Sequence, residues 1–501
     1  CWFTLASFSK ESTISWLAIF PLSAVMFCDK KVSQAIKSVL PFAVVSIVYV
    51  GIRLAIVGTK TDYFGIPVLA NILTGAKGFS EVWGTKLELL WYYLKLLILP
   101  WPLSWDYSFN EIPVMSLSHP LPWISMVFHA GLLALALLRF RKQPILSFAI
   151  LFYLVMMAPT NNFFIYNTTT LGERLMFVPS LGVCLALVFI AGKLTGADWK
   201  LSVDILQNKS LKVLLPVILV FIVMTISRSA DWKNNLSLFK SGVEVCPNSS
   251  RTNYSLASEY FKQAQKTGND ELKKEYLQKA GQLFQRSVEI LPENYQAYYN
   301  YALYCGAIGD TANAIKNYST VLSLKPEYIE ALNNLGVLYT SQHNFKLAYP
   351  CYRKAYDINP QAPAATSNLG NMFFNQGIQF AMEGKSDSAI ISYRQSLQYV
   401  PGNVMSLNNI ASTFASMNKF DSCLVYLKKG YAVEPANLMI LENIGAVSFL
   451  NKEYDHGIEY AGKALSINPQ LTKSINTMIN CYTAKGDAST ASKYRAMLLS
   501  K

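Results

Sequence analysis

Hydrophobic positions follow two different rhythms along this chain. Through residue 228 they come in long unbroken stretches, at about 12–28, 38–57, 121–138, 144–158, 175–195 and 211–228. Each approaches the roughly 20 apolar residues needed to cross a bilayer, where only a helix satisfies its own backbone groups. A seventh stretch, 82–103, mixes Lys86, Glu88 and Lys95 with Trp91, Tyr92, Tyr93 and Pro100. That mixture suits a re-entrant or interfacial segment better than a full span. From Asp231 onward the long runs give way to an all-helical, soluble pattern punctuated by Pro247, Pro292, Pro326, Pro360, Pro401, Pro435 and Pro469.

The gaps between those prolines are 45, 34, 34, 41, 34 and 34 residues. A 34-residue period is that of the tetratricopeptide repeat (TPR), and the two longer gaps then carry insertions of 11 and 7. Residues 329–362 show the pattern best. Leu332, Leu335, Gly336 and Tyr339 fall on a first helix, and Ala348, Tyr352 and Ala355 on a second that Pro360 ends. Small residues at Gly336 and Ala348 allow the two helices to approach closely. Repeats begin near 250, 295, 329, 363, 404, 438 and 472, and residues 231–247 read as a lone helix docking on the membrane part. Cys305 and Cys423 fall at buried repeat positions, which makes them small core residues rather than redox groups.

These rhythms predict an all-α chain, a polytopic transmembrane helix bundle followed by a TPR α-solenoid. The expected domains are 1–228 in the membrane, a docking helix over 229–249, and seven repeats over 250–501. Composition agrees: 52% of residues are hydrophobic and only 15% charged, against about 25% in soluble domains. Eight Cys with no CxxC pair and four His give neither a disulfide framework nor a zinc or histidine-based metal centre. The first residues, Cys1-Trp2-Phe3-Thr4-Leu5-Ala6, read as the tail of an apolar segment that starts upstream, so an N-terminally truncated fragment is expected.

The net charge of +13 invites a nucleic-acid partner until the charges are placed. Residues 1–228 hold 18 basic and 10 acidic groups, and the basic ones gather in short loops. Lys30, Lys31 and Lys37 mark one loop, Arg139, Arg141 and Lys142 a second, and Lys193, Lys200, Lys209 and Lys212 a third. If 82–103 does not cross, all three lie on the cytoplasmic side by the positive-inside rule. Everything after Arg228 is then periplasmic or luminal, in a bacterial inner membrane or the endoplasmic reticulum. Nucleic acid drops out as a partner, and membrane lipid takes its place.

The same placement gathers polar residues at the outer boundary. They are Lys10 and Glu11, Arg53 near the outer end of its span, Asp106, Asn161 and Asn162, and Glu173 with Arg174. Ionisable groups at membrane depth are costly and point to function. Arg174, Lys10 and Arg53 together would suit an anionic lipid headgroup, because guanidinium offers phosphate a bidentate fork. Simpler readings stand beside this one: an interfacial anchor for Lys10 and Glu11, a snorkelling Arg53, and a helix-start ion pair between Glu173 and Arg174. In the repeats, Asn300, Asn334, Asn368, Asn409 and Asn443 recur two residues before the small position of the first helix. Such a carboxamide row along a concave face can hold an extended peptide by its backbone. It can equally reflect a residue common at that repeat position. No P-loop, nucleophile elbow, dinucleotide fingerprint or HExxH is present.

Several short motifs occur in a telling order: Ser9-Lys10-Glu11, Leu54-Ala55-Ile56-Val57-Gly58, Trp105-Asp106-Tyr107-Ser108, Glu173-Arg174-Leu175-Met176-Phe177-Val178-Pro179-Ser180-Leu181-Gly182, Asp231-Trp232-Lys233 and Cys246-Pro247-Asn248. In that order they resemble the transmembrane-and-TPR protein O-mannosyltransferases, a family of C-type, polyprenol-dependent glycosyltransferases. The resemblance implies transfer of a sugar, mannose by the family's name, from a polyprenyl-phosphate carrier to protein hydroxyls on the outer face. It implies the polyprenyl-phosphate sugar as donor and an acceptor polypeptide in the TPR groove. The family's catalytic acid sits in a first outer loop that would precede Cys1, so no catalytic residue is named. Glu11, Asp106 and Glu173 would orient the cations or bind a metal, and the residues do not choose between these roles. Against an enzyme stands a non-enzymatic membrane-anchored TPR scaffold, which would need only one or two spans. Transport is weaker still, since no inverted repeat is visible.

Overall fold

The structure is a computed structural model that describes residues 3–4, 11–57, 68–159, 161–163, 167, 169–196 and 209–499. The side chains of residues 11, 12, 53, 54, 56 and 57 lie outside that set. All regular structure among the described residues is helical. The chain divides into two compact units, Cys1–Tyr304 and Cys305–Lys501.

The first unit begins with α1 (Trp16–Phe27), α2 (Val32–Val57), α3 (Gly78–Ile98), α4 (Pro120–Leu138), α5 (Pro144–Met157), α6 (Ser180–Thr195) and α7 (Lys209–Asp231). Among the described residues three stretches are long and apolar enough to cross a membrane: Val32–Ile52 in α2, and the whole of α4 and α7. Their apolar side chains point outward, as at Ile47, Val127 and Ile226, which suits lipid rather than water as the surrounding solvent. The other apolar helices, α1, α5 and α6, have 12, 14 and 16 residues. At about 1.5 Å per residue they reach roughly 18–24 Å, less than the hydrocarbon core of about 30 Å. Of six expected spans, three therefore have full length among the described residues.

Helix α3 occupies the questioned segment, and it is not among the apolar, membrane-length helices. Its central turns fill the core of this unit: Leu87, Leu89, Leu90, Tyr93 and Leu96 pack with Ile112, Tyr153, Met157, Leu171 and Met176. Lys86 and Glu88 are buried within it, and the Lys86 ammonium donates to the Phe163 carbonyl at 3.0 Å. The unit continues through α8 (Asn235–Val245), α9 (Ser250–Lys266) and α10 (Asp270–Ile290) into α11 (Tyr295–Ala307). A capping box between Asn234 and Ser237 starts α8, satisfying two otherwise orphaned amides.

The second unit stacks α12 (Thr311–Leu324), α13 (Ile329–Ser341), α14 (Phe345–Ile358), α15 (Pro363–Met382), α16 (Ser386–Tyr399), α17 (Val404–Ser416), α18 (Phe420–Val433), α19 (Leu438–Leu450), α20 (Tyr454–Ile467), α21 (Thr472–Ala484) and α22 (Ala488–Leu499). Asparagine side chains at 344, 403 and 437 cap α14, α17 and α19. The close approach expected at Gly336 is real: a Cβ there would lie 2.6 Å from the Tyr352 ring. Ala348, Cys305 and Cys423 are all buried.

Both insertions are helical. First helices of ordinary repeats have 13 residues and second helices 14. Helices α9 and α10 have 17 and 21, so the eleven extra residues split as four and seven. Helix α15 has 20 residues while α16 keeps 14, so the seven-residue insertion lies inside α15. Gly377 rather than Gly370 meets Tyr393, at 2.5 Å from a would-be Cβ. The spacing from Gly377 to Tyr393 equals that from Gly336 to Tyr352. Seven residues make nearly two turns, so α15 keeps its faces while advancing about 10 Å.

Candidate functional site

The polar boundary is assembled from the loop after α3, the 3-10 turn Glu173–Met176, the end of α7 and the start of α9. Backbone pairing clips two distant segments together: the Asn110 amide donates to the Asn248 carbonyl at 3.0 Å, and the Ser250 amide to the Phe109 carbonyl at 2.8 Å. The Asn248 amide completes the clip on the Glu111 carboxylate at 3.1 Å. Burial raises the Glu111 carboxyl above its ordinary range, and that hydrogen bond opposes the rise.

Asp106 sits inside this clip, 7% exposed. Its carboxylate accepts from the Ser108 amide at 2.9 Å and the Ser108 hydroxyl at 2.8 Å, and lies 3.4 Å from the Arg251 guanidinium. Arg251 also lies over the Trp105 ring at 5.9 Å, a cation–π contact. Trp105 packs on Phe239 of α8 with centroids 5.2 Å apart. Cys246 is fully buried beside them, and burial pushes its thiol up to about 12, which leaves it unreactive.

Glu173 belongs to the same shelf. One of its oxygens accepts from the Tyr107 hydroxyl at 2.6 Å and from the Ser104 amide at 2.8 Å. Burial raises the Glu173 carboxyl above its ordinary range, while Tyr107, the Arg228 charge and Ser104 each pull it back. Arg228, at the end of α7, bonds Asp231 at 2.9 Å and Ser241 at 3.1 Å, and its second amino group is buried without a partner among the described residues. Arg174 is exposed and has no ion pair or hydrogen bond among the described residues. The ion pair considered for Glu173 and Arg174 is thus replaced by Glu173 with Tyr107 and Ser104.

A raised carboxyl carries a signed consequence. Its stability contribution is complete below the unfolded value, near 4.5, and is lost as pH rises through the folded value. Glu173→Gln keeps an acceptor for Tyr107 and Ser104 but cannot ionise. A pH series of melting temperatures in detergent is expected to fall less steeply for this variant above about pH 4.5; identical slopes would remove the assignment.

The site residues expected from the sequence separate into three groups. Asp106 and Glu173 share the Ser104–Ser108 segment. Lys10 and the side chains of Glu11 and Arg53 fall outside the described residues. Asn161 and Asn162 knit loops: Asn162 accepts from Asn71 at 3.0 Å and donates to the Thr170 carbonyl at 3.1 Å. Among the described residues no group of three or more His, Cys, Asp or Glu could hold a metal. Arg228, Arg251, Tyr107 and Ser249 are polar participants that the sequence pattern did not single out.

The asparagine row is committed to the fold. Asn300 donates to Ser258 at 3.2 Å, Asn334 to the Tyr318 hydroxyl at 3.2 Å, and Asn409 to the Tyr393 hydroxyl at 3.5 Å. Asn368 donates to Asn333 at 3.0 Å and Asn443 to Asn408 at 2.6 Å, each binding a first helix to the preceding one. These carboxamides carry structural bonds, so the row is not a free ladder.

Residues 329–361 match the tetratricopeptide repeat family model, and 307–343 match a second TPR repeat model. The chain is 28% identical over 165 residues to protein O-mannosyl-transferase F38B6.6 of Caenorhabditis elegans, covering 33% of this chain and 23% of that protein. It is 26% identical over 269 residues to protein O-mannosyl-transferase TMTC1 of Homo sapiens, covering 51% and 25%. The match therefore spans about a quarter of those relatives' length. Among solved structures, the C-terminal part of a TPR repeat-containing protein from Cytophaga hutchinsonii aligns at 17% identity and TM-score 0.38, over 50% of this chain and 98% of that one. With membrane-length apolar helices preceding tetratricopeptide repeats, the chain is similar to the transmembrane-and-TPR protein O-mannosyl-transferases over about a quarter of their length.

Proposed function

We propose that this chain is part of a membrane glycosyltransferase that moves a sugar, mannose in the family's naming, from a polyprenyl-phosphate carrier to protein hydroxyls. The reaction belongs to the periplasmic or luminal face, with the TPR array holding the acceptor polypeptide. The observation that carries this reading is the shelf between membrane helices and first repeat. Its carboxylates Asp106 and Glu173 are already engaged, while Arg174 is exposed and uncommitted among the described residues. A guanidinium left in that state at a membrane boundary suits a lipid-linked phosphate, whose leaving charge it would stabilise. Lys10 and Arg53 are proposed to join it. Glu11 is proposed to orient those cations, Asp106 and Glu173 to hold the loop that carries the site through Ser108, Arg251, Tyr107 and Ser104, and Asn300, Asn334, Asn368, Asn409 and Asn443 to shape the acceptor groove by tying its helices together.

The test is Arg174→Ala in membranes supplied with a radiolabelled polyprenyl-phosphate sugar. Transfer to protein is expected to fall by about 100-fold or more, the scale of losing one charge-stabilising donor, with expression unchanged because the side chain is exposed. Undiminished transfer would overturn the role of Arg174. Absence of transfer by the unaltered protein would favour the membrane-anchored scaffold. The orientation has its own check: a cysteine placed near residue 250 is expected to react with an impermeant maleimide from the outer side only.

A further inference from the structure

We infer that the acceptor-holding surface of the repeats is centred on the lengthened helix α15, and that it selects an extended, uncharged segment carrying one aliphatic side chain. This rests on the proposed peptide-holding role of the array and goes further by fixing the place and the chemistry. The asparagine row is tied into the fold, Asn368 and Asn443 each donating to the preceding first helix. A second set of carboxamides is unspent. Asn371 and Asn375 lie one turn apart on α15, both exposed, and neither has a hydrogen bond among the described residues. Each offers a donor pair and an acceptor, matching the alternating amides and carbonyls of an extended backbone.

The insertion is what frees them. Because α15 outruns α13 by nearly two turns, its later half has no first helix beside it on the α13 side. A groove of about 750 Å³ opens there, with Val337 and Thr340 on one wall and Asn371, Asn375, Ile378 and Met382 on the other. Ile378 and Met382 also border an adjoining groove of about 540 Å³ that runs toward α17 and is lined by Asn409, Ser412 and Ser416. Met382 is 84% exposed and Val337 48%, so an aliphatic side chain lodged between them removes apolar surface from water on both partners.

The charge pattern decides the occupant. The one carboxylate bordering the larger groove, Glu383, is held by Lys385 at 2.7 Å and by Gln379 at 2.8 Å. Lysine and arginine are absent from the lining of both grooves. An acidic segment would find no cation to compensate its desolvation, and a basic one no unpaired carboxylate. A hydroxyl-rich, neutral segment loses little on entering, since carboxamides and hydroxyls replace its water.

The probe is a short fluorescein-labelled peptide of threonine and serine with one central leucine, titrated with the full chain in detergent and read by anisotropy. The double variant Asn371→Ala, Asn375→Ala is expected to bind about tenfold more weakly or worse, the sum of two modest hydrogen bonds. Met382→Lys is expected to weaken it similarly, and replacing the central leucine by glutamate to abolish binding. All altered residues are exposed, so unchanged melting temperatures should accompany these losses. Equal affinity for all variants would overturn the assignment to α15 while leaving a peptide-holding array intact. No binding of the probe by the unaltered chain would overturn both.

Discussion

Replacing Gly242 with valine is expected to tear α8 away from the Trp105 loop that follows α3. A Cβ at this position would lie 2.2 Å from the Trp105 Nε1 and 2.6 Å from its Cδ1. The indole cannot retreat easily, because Phe239 and Arg251 both pack against it. Overpacking of this kind costs about 1–3 kcal/mol and sometimes more, and valine adds a larger clash than alanine. The better helix propensity of the new residue offsets less than about 1 kcal/mol. Limited proteolysis between α8 and α9 should therefore accelerate, and tryptophan emission should shift to the red. Pairing the change with Trp105→Leu should recover most of the loss, because the smaller side chain vacates the space. A variant as stable and as resistant as the parent would show that the indole is not locked against α8.

Phe284→Ala is expected to be the most destabilising single change in the first repeat. Its ring is fully buried, packed against Tyr301 and Tyr304 with centroids 5.9 Å from each. Removing a buried phenylalanine leaves a cavity and costs about 3–5 kcal/mol. Stacked repeats share stability with their neighbours, so the loss should spread to α9 and α11 rather than stay in α10. Hydrogen exchange should report early opening of these three helices together. Exchange confined to α10 would mean that this repeat is energetically separate from its neighbours.

These two sites mark where the sequence was legible and where it was not. The proline period and the Gly336–Tyr352 spacing are local rules, repeated often enough to be recognised without a structure. The Asp106 cluster is different. The residues that complete it, Ser249 and Arg251, lie more than 140 positions away, and the clip joining Phe109 to Ser250 uses backbone groups that any residue supplies. The bonds made by the asparagine row were hidden for a related reason. Periodicity places a carboxamide on a face, but its hydrogen bonds depend on neighbours such as Asn333 and Asn408 about one repeat earlier. Buried Lys86 and Glu88 argued against a full span for 82–103 on composition, and packing around α3 explains how such residues are accommodated: inside protein.

The lengthened α15 has a bearing on how such arrays can change. A solenoid can lengthen one helix without reorienting everything downstream only when the added residues close whole turns. Seven residues rotate the downstream repeats by about 20°, whereas five would rotate them by about 140° and turn their apolar faces to solvent. Length variation inside first helices is therefore quantised. Deleting seven consecutive residues from α15 should leave a folded array with its groove closed, and deleting five should not leave an array at all. Binding surfaces in this architecture can thus appear or vanish in a single step, while every repeat on either side keeps its own contacts.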